Sequence, residues 1–264
     1  EYADAVVHIT TRQEIEQFNS WYECSQDPDC DVNIDYPGYQ IPSVILTWPA
    51  HGDIGKFHDF YLAPFYDRPG GTPGIYDPIG DGDYPWYDLS GEIDCRTNRK
   101  VTLYGDYNMW WVFNDKGNIH TETGGDPIGM EIRAQCFAFA TNDEINSMTF
   151  YNYEMINRST QTLTNTYFAV WVDSDIGCSE DDYVGCDVNL GLGFCYNGDA
   201  EDEGAAGYGF NPPAIGVDFF QGPLADPNDG IDNDRDGVID EQGEQIIMSK
   251  FVYYNNDFTV IGNP

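Results

Sequence analysis

Between Asp173 and Ser249 the chain carries nineteen carboxylates and one basic side chain, Arg235. A segment so charged opposes its own compaction, because like charges brought together repel unless cations neutralise part of them. The imbalance extends to the whole sequence, where 46 Asp+Glu face 11 Lys+Arg for a formal charge of −35. Such a balance excludes ordinary nucleic-acid binding and attachment to anionic membranes, since both need a basic footprint. Even so, 41% of the 264 residues are apolar and 15% aromatic, enough for a buried core.

The sharpest motif in this region is Asp229-Gly-Ile-Asp232-Asn-Asp234-Arg-Asp236-Gly237-Val-Ile-Asp240-Glu241. Three aspartates at alternating positions put hard oxygens on one side of a tight loop, and the glycine lets the chain turn around an ion. Asp232, Asp234 and Asp236 are the expected direct ligands of Ca2+, with the backbone carbonyl of Val238. Asp240, Glu241 or Glu244 would complete the shell. Magnesium fits less well, because it demands a stricter octahedron that retains water. The loop departs from an EF-hand: its twelfth position is Gly243, and no amphipathic helix precedes it. It matches a free-standing calcium loop better. The plain alternative is a solvated acidic turn that binds nothing.

A second calcium site is expected from Asp173, Asp175, Asp182 and Asp187, where Asp-x-Asp at a strand end meets an acidic loop. Asn197, Asp199 and Asp202 form a weaker third cluster. The seven cysteines contain no C-x-x-C pair, which argues against a zinc or redox site. Cys24/Cys30 and Cys178/Cys186 are close enough to close small disulfide loops in an oxidising, extracellular setting; the alternative is reduced, buried thiols. No apolar run is long enough to span a membrane. The chain opens at Glu1 in mid-pattern, and so reads as a mature product or a piece of a longer protein.

Hydrophobic periodicity predicts a helix over 10–22, capped by Thr10 or Thr11, with Ile15, Phe18, Trp21 and Tyr22 on one face. Residues 31–99 read as mostly irregular, with a short apolar run at 43–48. Strands are expected at 101–113, 128–140, 147–157, 166–173, 188–196, 214–220, 245–254 and 258–261. Within 128–140, Met130, Ile132, Ala134, Cys136 and Ala138 face one way, and Glu131, Arg133 and Gln135 the other. Many short strands and one short helix predict a mainly β chain, a β-sandwich or jelly-roll with long loops. Residues 1–99 would form a strap over a body at 100–264, together one structural domain.

Several blocks carry a resemblance: Trp48-Pro-Ala-His51-Gly-Asp53, Tyr61-Leu-Ala-Pro-Phe-Tyr66-Asp67, Gly82-Asp83-Tyr84-Pro85 and Trp110-Trp-Val-Phe-Asn114-Asp115-Lys-Gly117. Trp171 to Gly177, Asp181 to Asp187 and Pro212 to Gly222 add to them. Together they resemble a family of large secreted Bacteroidota proteins exported by the type IX secretion system. The resemblance implies export, a cell-surface location, and contact with the export machinery through a sorting domain that this chain lacks. In that family an Asp-x-Asp-Gly-Asp-Gly loop often follows the Ala-Pro-Phe-Tyr-Asp block. Here the repeated aspartates are missing, and Asp77, Asp81 and Asp83 are the residues left to replace part of them.

Nothing assembles a familiar active site: there is no G-x-S-x-G, H-E-x-x-H, P-loop or Rossmann glycine pattern. His8, His51, His58 and His120 are scattered, and only His51 with Asp53, His58 and Asp59 suggests a metal or general-base group. With 46 acids, pairs suited to glycoside hydrolysis carry no information. Aromatic pairs are more telling, because in a strand one member of each turns away from the core. Trp86, Trp110 and Trp111 are therefore candidate glycan contacts; the alternative is a second buried face under the 31–99 strap. The expected function is a calcium-stabilised adhesion or structural module without catalysis, its partners other surface proteins or glycans. The alternative is a carbohydrate-binding module of a larger secreted hydrolase.

Overall fold

The computed structural model describes residues 6–52, 61–89, 102–117, 119–121, 124–179 and 181–254. Asp53, His58, Asp59, Cys95, Glu180 and the expected 258–261 strand lie outside them. The chain is mainly β and forms two compact units, Glu1–Thr164 and Asn165–Pro264.

In the first unit, β1 (His8–Thr11) runs directly into α1 (Arg12–Gln26). Thr11 caps the helix: the Glu14 N–H donates to Thr11 Oγ1 (3.2 Å) and the Thr11 N–H to Glu14 Oε2 (2.9 Å). Such a reciprocal pair satisfies two donors that a helix start leaves open. The helix outruns its expected end at Tyr22 and stops where Asp27 turns extended before Pro28. Cys24, in the last turn of α1, is disulfide-bonded to Cys30 beyond it, as their spacing allows. One-turn helices α2 (Val32–Asp35) and α3 (Ser43–Leu46) follow, the second within the apolar run at 43–48.

A short hairpin pairs β2 (Phe65–Tyr66) with β3 (Tyr84–Pro85). The main sheet contains β4 (Tyr107–Asn114), β5 (Met130–Ala138) and β6 (Phe150–Asn157), all antiparallel, in the order β1-β4-β5-β6. Strand β1 is too short, at four residues, for a period-two pattern to mark it in the sequence. The core under this sheet consists of Ile15, Phe18, Tyr22, Ile45, Trp48, Ala50, Ala63, Phe65, Tyr84, Tyr87, Leu103 and Trp110. The layer facing the sheet is therefore α1 with loop segments of the first 87 residues. Arg68 stitches that layer, its guanidinium lying 4.9 Å from the Tyr22 ring centroid.

Register decides which sheet face is covered. Trp110 pairs with Gln135, and Gln135 with Asn152, so these three share the core side with Arg133 and Glu154. The aromatic and apolar set Trp111, Ala134, Tyr153, Ile132 and Met155 takes the other face, where Tyr153 and Met155 are exposed.

The second unit has a three-stranded antiparallel sheet of β7 (Asp182–Asp187), β8 (Leu192–Asn197) and β11 (Ala214–Asp218), in the order β11-β8-β7. Strands β9 (Glu201–Asp202) and β10 (Gly209–Phe210) form a separate pair. Three expectations need correction here. Residues 182–187, read as acidic loop, are a strand, whereas 188–191 form a turn: the Asp187 carboxylate accepts the N–H groups of Asn189 (3.0 Å) and Leu190 (3.2 Å). Segments 166–173 and 245–254 are not strands: among the described residues no neighbour pairs with them beyond a single Leu224–Gln245 bridge. Cys178 and Cys186 are free thiols, since the extended β7 carries Cys186 away from Cys178. Among the described residues no helix is long and apolar enough to cross a membrane.

Candidate metal centre

The loop from Asp229 to Glu244 is built from aspartates that bend the backbone around themselves. Asp229 accepts the Ile231 N–H (2.9 Å), Asp234 that of Asp236 (3.2 Å), and Asp236 that of Val238 (2.8 Å). Such short side-chain-to-backbone bonds favour turns over helix or strand. Gly237, at φ +99°, donates its N–H to Asp232 Oδ2 (3.0 Å). Its left-handed backbone is the one a side chain would resist. The glycine of the motif is thus a turn requirement, as the spacing predicts.

These turns converge the carboxylates. Oxygens of Asp232, Asp234 and Glu244 lie within 4.8 Å of one another, and so do those of Asp234, Asp236 and Glu241. Asp234 belongs to both groups. Glu244, only one of three candidates for the last ligand, is the most deeply placed at 2% exposure. The return of the chain holds it there: the Ala225 N–H donates to the Glu244 carbonyl (2.9 Å) and the Ile246 N–H to that of Pro223 (2.9 Å). Glu244 Oε1 accepts the Asn233 N–H. Glu244 Oε2 and Asp232 Oδ1 are buried and have no hydrogen-bond partner.

Partial burial raises the pKa of Glu241, and the charges of Asp236, Asp234, Glu244 and Asp232 raise it further. Five carboxylates held this close repel one another when ionised, and a cation among them would relieve that repulsion. An all-oxygen, all-carboxylate donor set suits a hard divalent cation and suits zinc or copper poorly. Asp240 stands apart, its carboxylate accepting the Gly230 N–H (2.8 Å). Val238 lies in the same turn, its side chain exposed.

The other expected groupings are redistributed. Asp182 and Asp187 occupy opposite ends of β7, about 16 Å apart for five residues of strand, so they share no ion. Asp173, Asp175, Asp182 and Asp187 join no group of converged ligand atoms among the described residues. The pKa of Asp182 is raised first by burial and then by the charges of Asp181, Asp202 and Asp175.

The Asp67–Asp83 region makes an instructive contrast. Asp67 accepts the Gly74 N–H (2.7 Å), Asp81 that of Thr72 (2.7 Å), and Asp77 those of Ile79 (3.1 Å) and Gly80 (2.8 Å). Fully buried Asp83 accepts the N–H groups of Arg68 (2.8 Å) and Asp77 (2.9 Å) through its two oxygens. Backbone N–H groups thus take both oxygens of Asp83 and one oxygen each of Asp67, Asp77 and Asp81. His51 likewise accepts the Tyr76 N–H (3.0 Å), and His120 Nε2 lies 2.7 Å from the Asp115 carbonyl.

The aromatic candidates separate. Trp86 and Trp110 line a cleft of about 540 Å³ together with Tyr61, Arg133, Asn152 and Glu154. Trp110, 2% exposed, is its floor, and Trp111 points to the opposite sheet face. The polar residues on the covered face of β5 and β6 thereby gain a purpose: they wall this cleft rather than a dry core.

Comparison of the chain with protein-family models, with curated proteins and with solved structures found no match in any of the three.

Proposed function

We propose that the chain is a calcium-stabilised module of a secreted or cell-surface protein, serving adhesion or surface structure without chemistry of its own. The observation that carries the reading is Glu244: a nearly fully buried carboxylate with one unpartnered oxygen, in one group with Asp232 and Asp234. Burying such a group costs several kcal/mol unless a partner neutralises it. Calcium, with six to eight oxygen ligands in flexible geometry, fits five carboxylates and a turn carbonyl better than magnesium does. The blocks that resemble exported Bacteroidota proteins support the location, and surface proteins or glycans are the corresponding partners. Thermal unfolding with calcium, with magnesium and with excess chelator tests the ion, repeated on Asp234→Ala. A calcium-specific rise in melting temperature that shrinks in the variant supports the reading; no calcium effect returns the loop to a solvated turn. Calcium-dependent retention on isolated cell envelopes tests adhesion, and no retention at saturating calcium would remove it.

The cleft favours a second reading, a carbohydrate-binding module. Its volume lies within the range of small-ligand sites, and it combines Trp86 with Arg133, Asn152 and Glu154. Glycan-array binding that Trp86→Ala abolishes, with the fold intact, would support it. An array without any hit would count against it.

A further inference from the structure

A second set of buried oxygens lies where β7 begins. Asp182 pairs directly with Asn197 of β8, so their side chains share one sheet face. Asn197 is 7% exposed, and its Nδ2 donates to the carbonyls of Asp199 (3.4 Å) and Glu201 (3.2 Å). That orientation leaves Asn197 Oδ1 buried without a partner, as are Asp181 Oδ1 and Asp182 Oδ1. Asp202, 2% exposed, closes the group from β9. Its oxygens accept the N–H groups of Cys178 (2.9 Å) and Tyr208 (2.7 Å), and each retains a lone pair. Ligand atoms of Asp181, Asp202 and Cys178 lie within 4.8 Å of one another. The charges of Asp181, Asp202 and Asp175 all bear on Asp182. Gly177, at φ +118°, admits this approach, since a Cβ there would collide with the Asp202 carboxylate.

We propose that Asp181, Asp182, Asn197 and Asp202 form a second calcium site, independent of the Asp232–Glu244 loop. Three separate stretches of chain contribute hard oxygens, and those at Asp181 Oδ1, Asp182 Oδ1 and Asn197 Oδ1 lack any protein donor. A neutral amide oxygen among carboxylates is an ordinary calcium ligand. A bare acidic cluster would leave Asn197 free to turn its amide N–H groups toward the carboxylates. Instead it donates them elsewhere and presents only its oxygen. Cys178 is tied to the group through its backbone N–H, so its thiol is not required.

Calcium stoichiometry by equilibrium dialysis tests the proposal on the whole chain. The expected counts are two ions for the native chain, one for Asp234→Asn, and none when Asp181→Asn and Asp182→Asn are added. Asp182→Lys provides a second route, because its ammonium takes the place of the ion. That variant is expected to bind one calcium fewer and to keep its circular dichroism in chelator. A second ion that survives both sets of changes would overturn the proposal. So would an Asp234→Asn chain that binds no calcium, or a site that takes zinc and loses it in Cys178→Ser. If the loop reading alone fails, Asp234→Asn changes nothing while Asp182→Lys still removes an ion.

Discussion

In Glu1–Thr164 the buried side chains are mostly aromatic and aliphatic, from Ile15 and Phe18 to Tyr87 and Trp110. In Asn165–Pro264 the described buried apolar residues are Ile176 and Cys195, and beside them lie Asn197, Asp202 and Glu244. The unpartnered buried atoms divide the same way. In the first unit they are hydroxyls of Thr10, Tyr39 and Tyr87 and the amide oxygen of Asn108; in the second, four of the five belong to Asp181, Asp182, Asp232 and Glu244. A buried hydroxyl without a partner costs far less than a buried ionised carboxylate, which must find a donor, a proton or a cation. The first unit thus holds itself together by excluding water from apolar surface, and on the proposed reading the second depends on counter-charge. Even within the first unit, buried Asp83 follows the local rule, with both oxygens on backbone N–H groups.

The comparison breaks if the two units respond alike to the same change. Phe18→Ala, at a fully buried position, is expected to cost the first unit about 3–5 kcal/mol by denaturant unfolding. It should leave the calcium-dependent transition where it was. Calcium at a hundred times its dissociation constant should stabilise the second unit by about 2.7 kcal/mol per site, read from its own melting transition, and leave the first unmoved.

Asp115→Ala should cost the first unit about 1–3 kcal/mol, since the carboxylate accepts N–H groups from Ile128, Gly129 and Met130 at the base of the β4–β5 hairpin. Burial opposes ionisation of Asp115, but those bonds outweigh it and lower its pKa below the ordinary 3.8. Its contribution is therefore complete above that value and disappears as pH falls through the lowered one. The variant's deficit should shrink in the same acid window, which a denaturant series from neutral to acid pH checks. Smallest is Thr11→Ala, expected to cost about 1 kcal/mol through the lost helix cap, measured as a shift of the first transition alone.

What could be read from sequence was what is local. Thr11 and Glu14 stand three apart, and the helix they cap begins there. Period-two alternation marked β5 and β6, and aspartate spacing marked the turn around Gly237. Features that depend on distant pairing were hidden. Glu244 is deep because 223–225 returns alongside it, and no residue near 244 announces that. Asp182 meets Asn197 only through the β7–β8 register, and the same strand carries Asp187 out of reach. Charge also misled: Asp182-Tyr-Val-Gly-Cys-Asp187 looks like loop because its ends are acidic, yet its interior pairs as strand.

Hydrogen exchange, followed residue by residue with and without calcium, tests the central contrast most directly. The account predicts that calcium slows exchange across 175–202 and 224–247 and leaves α1 and the β4–β6 strands unchanged. Equal protection of both units without calcium, or a calcium effect confined to the first, would contradict it.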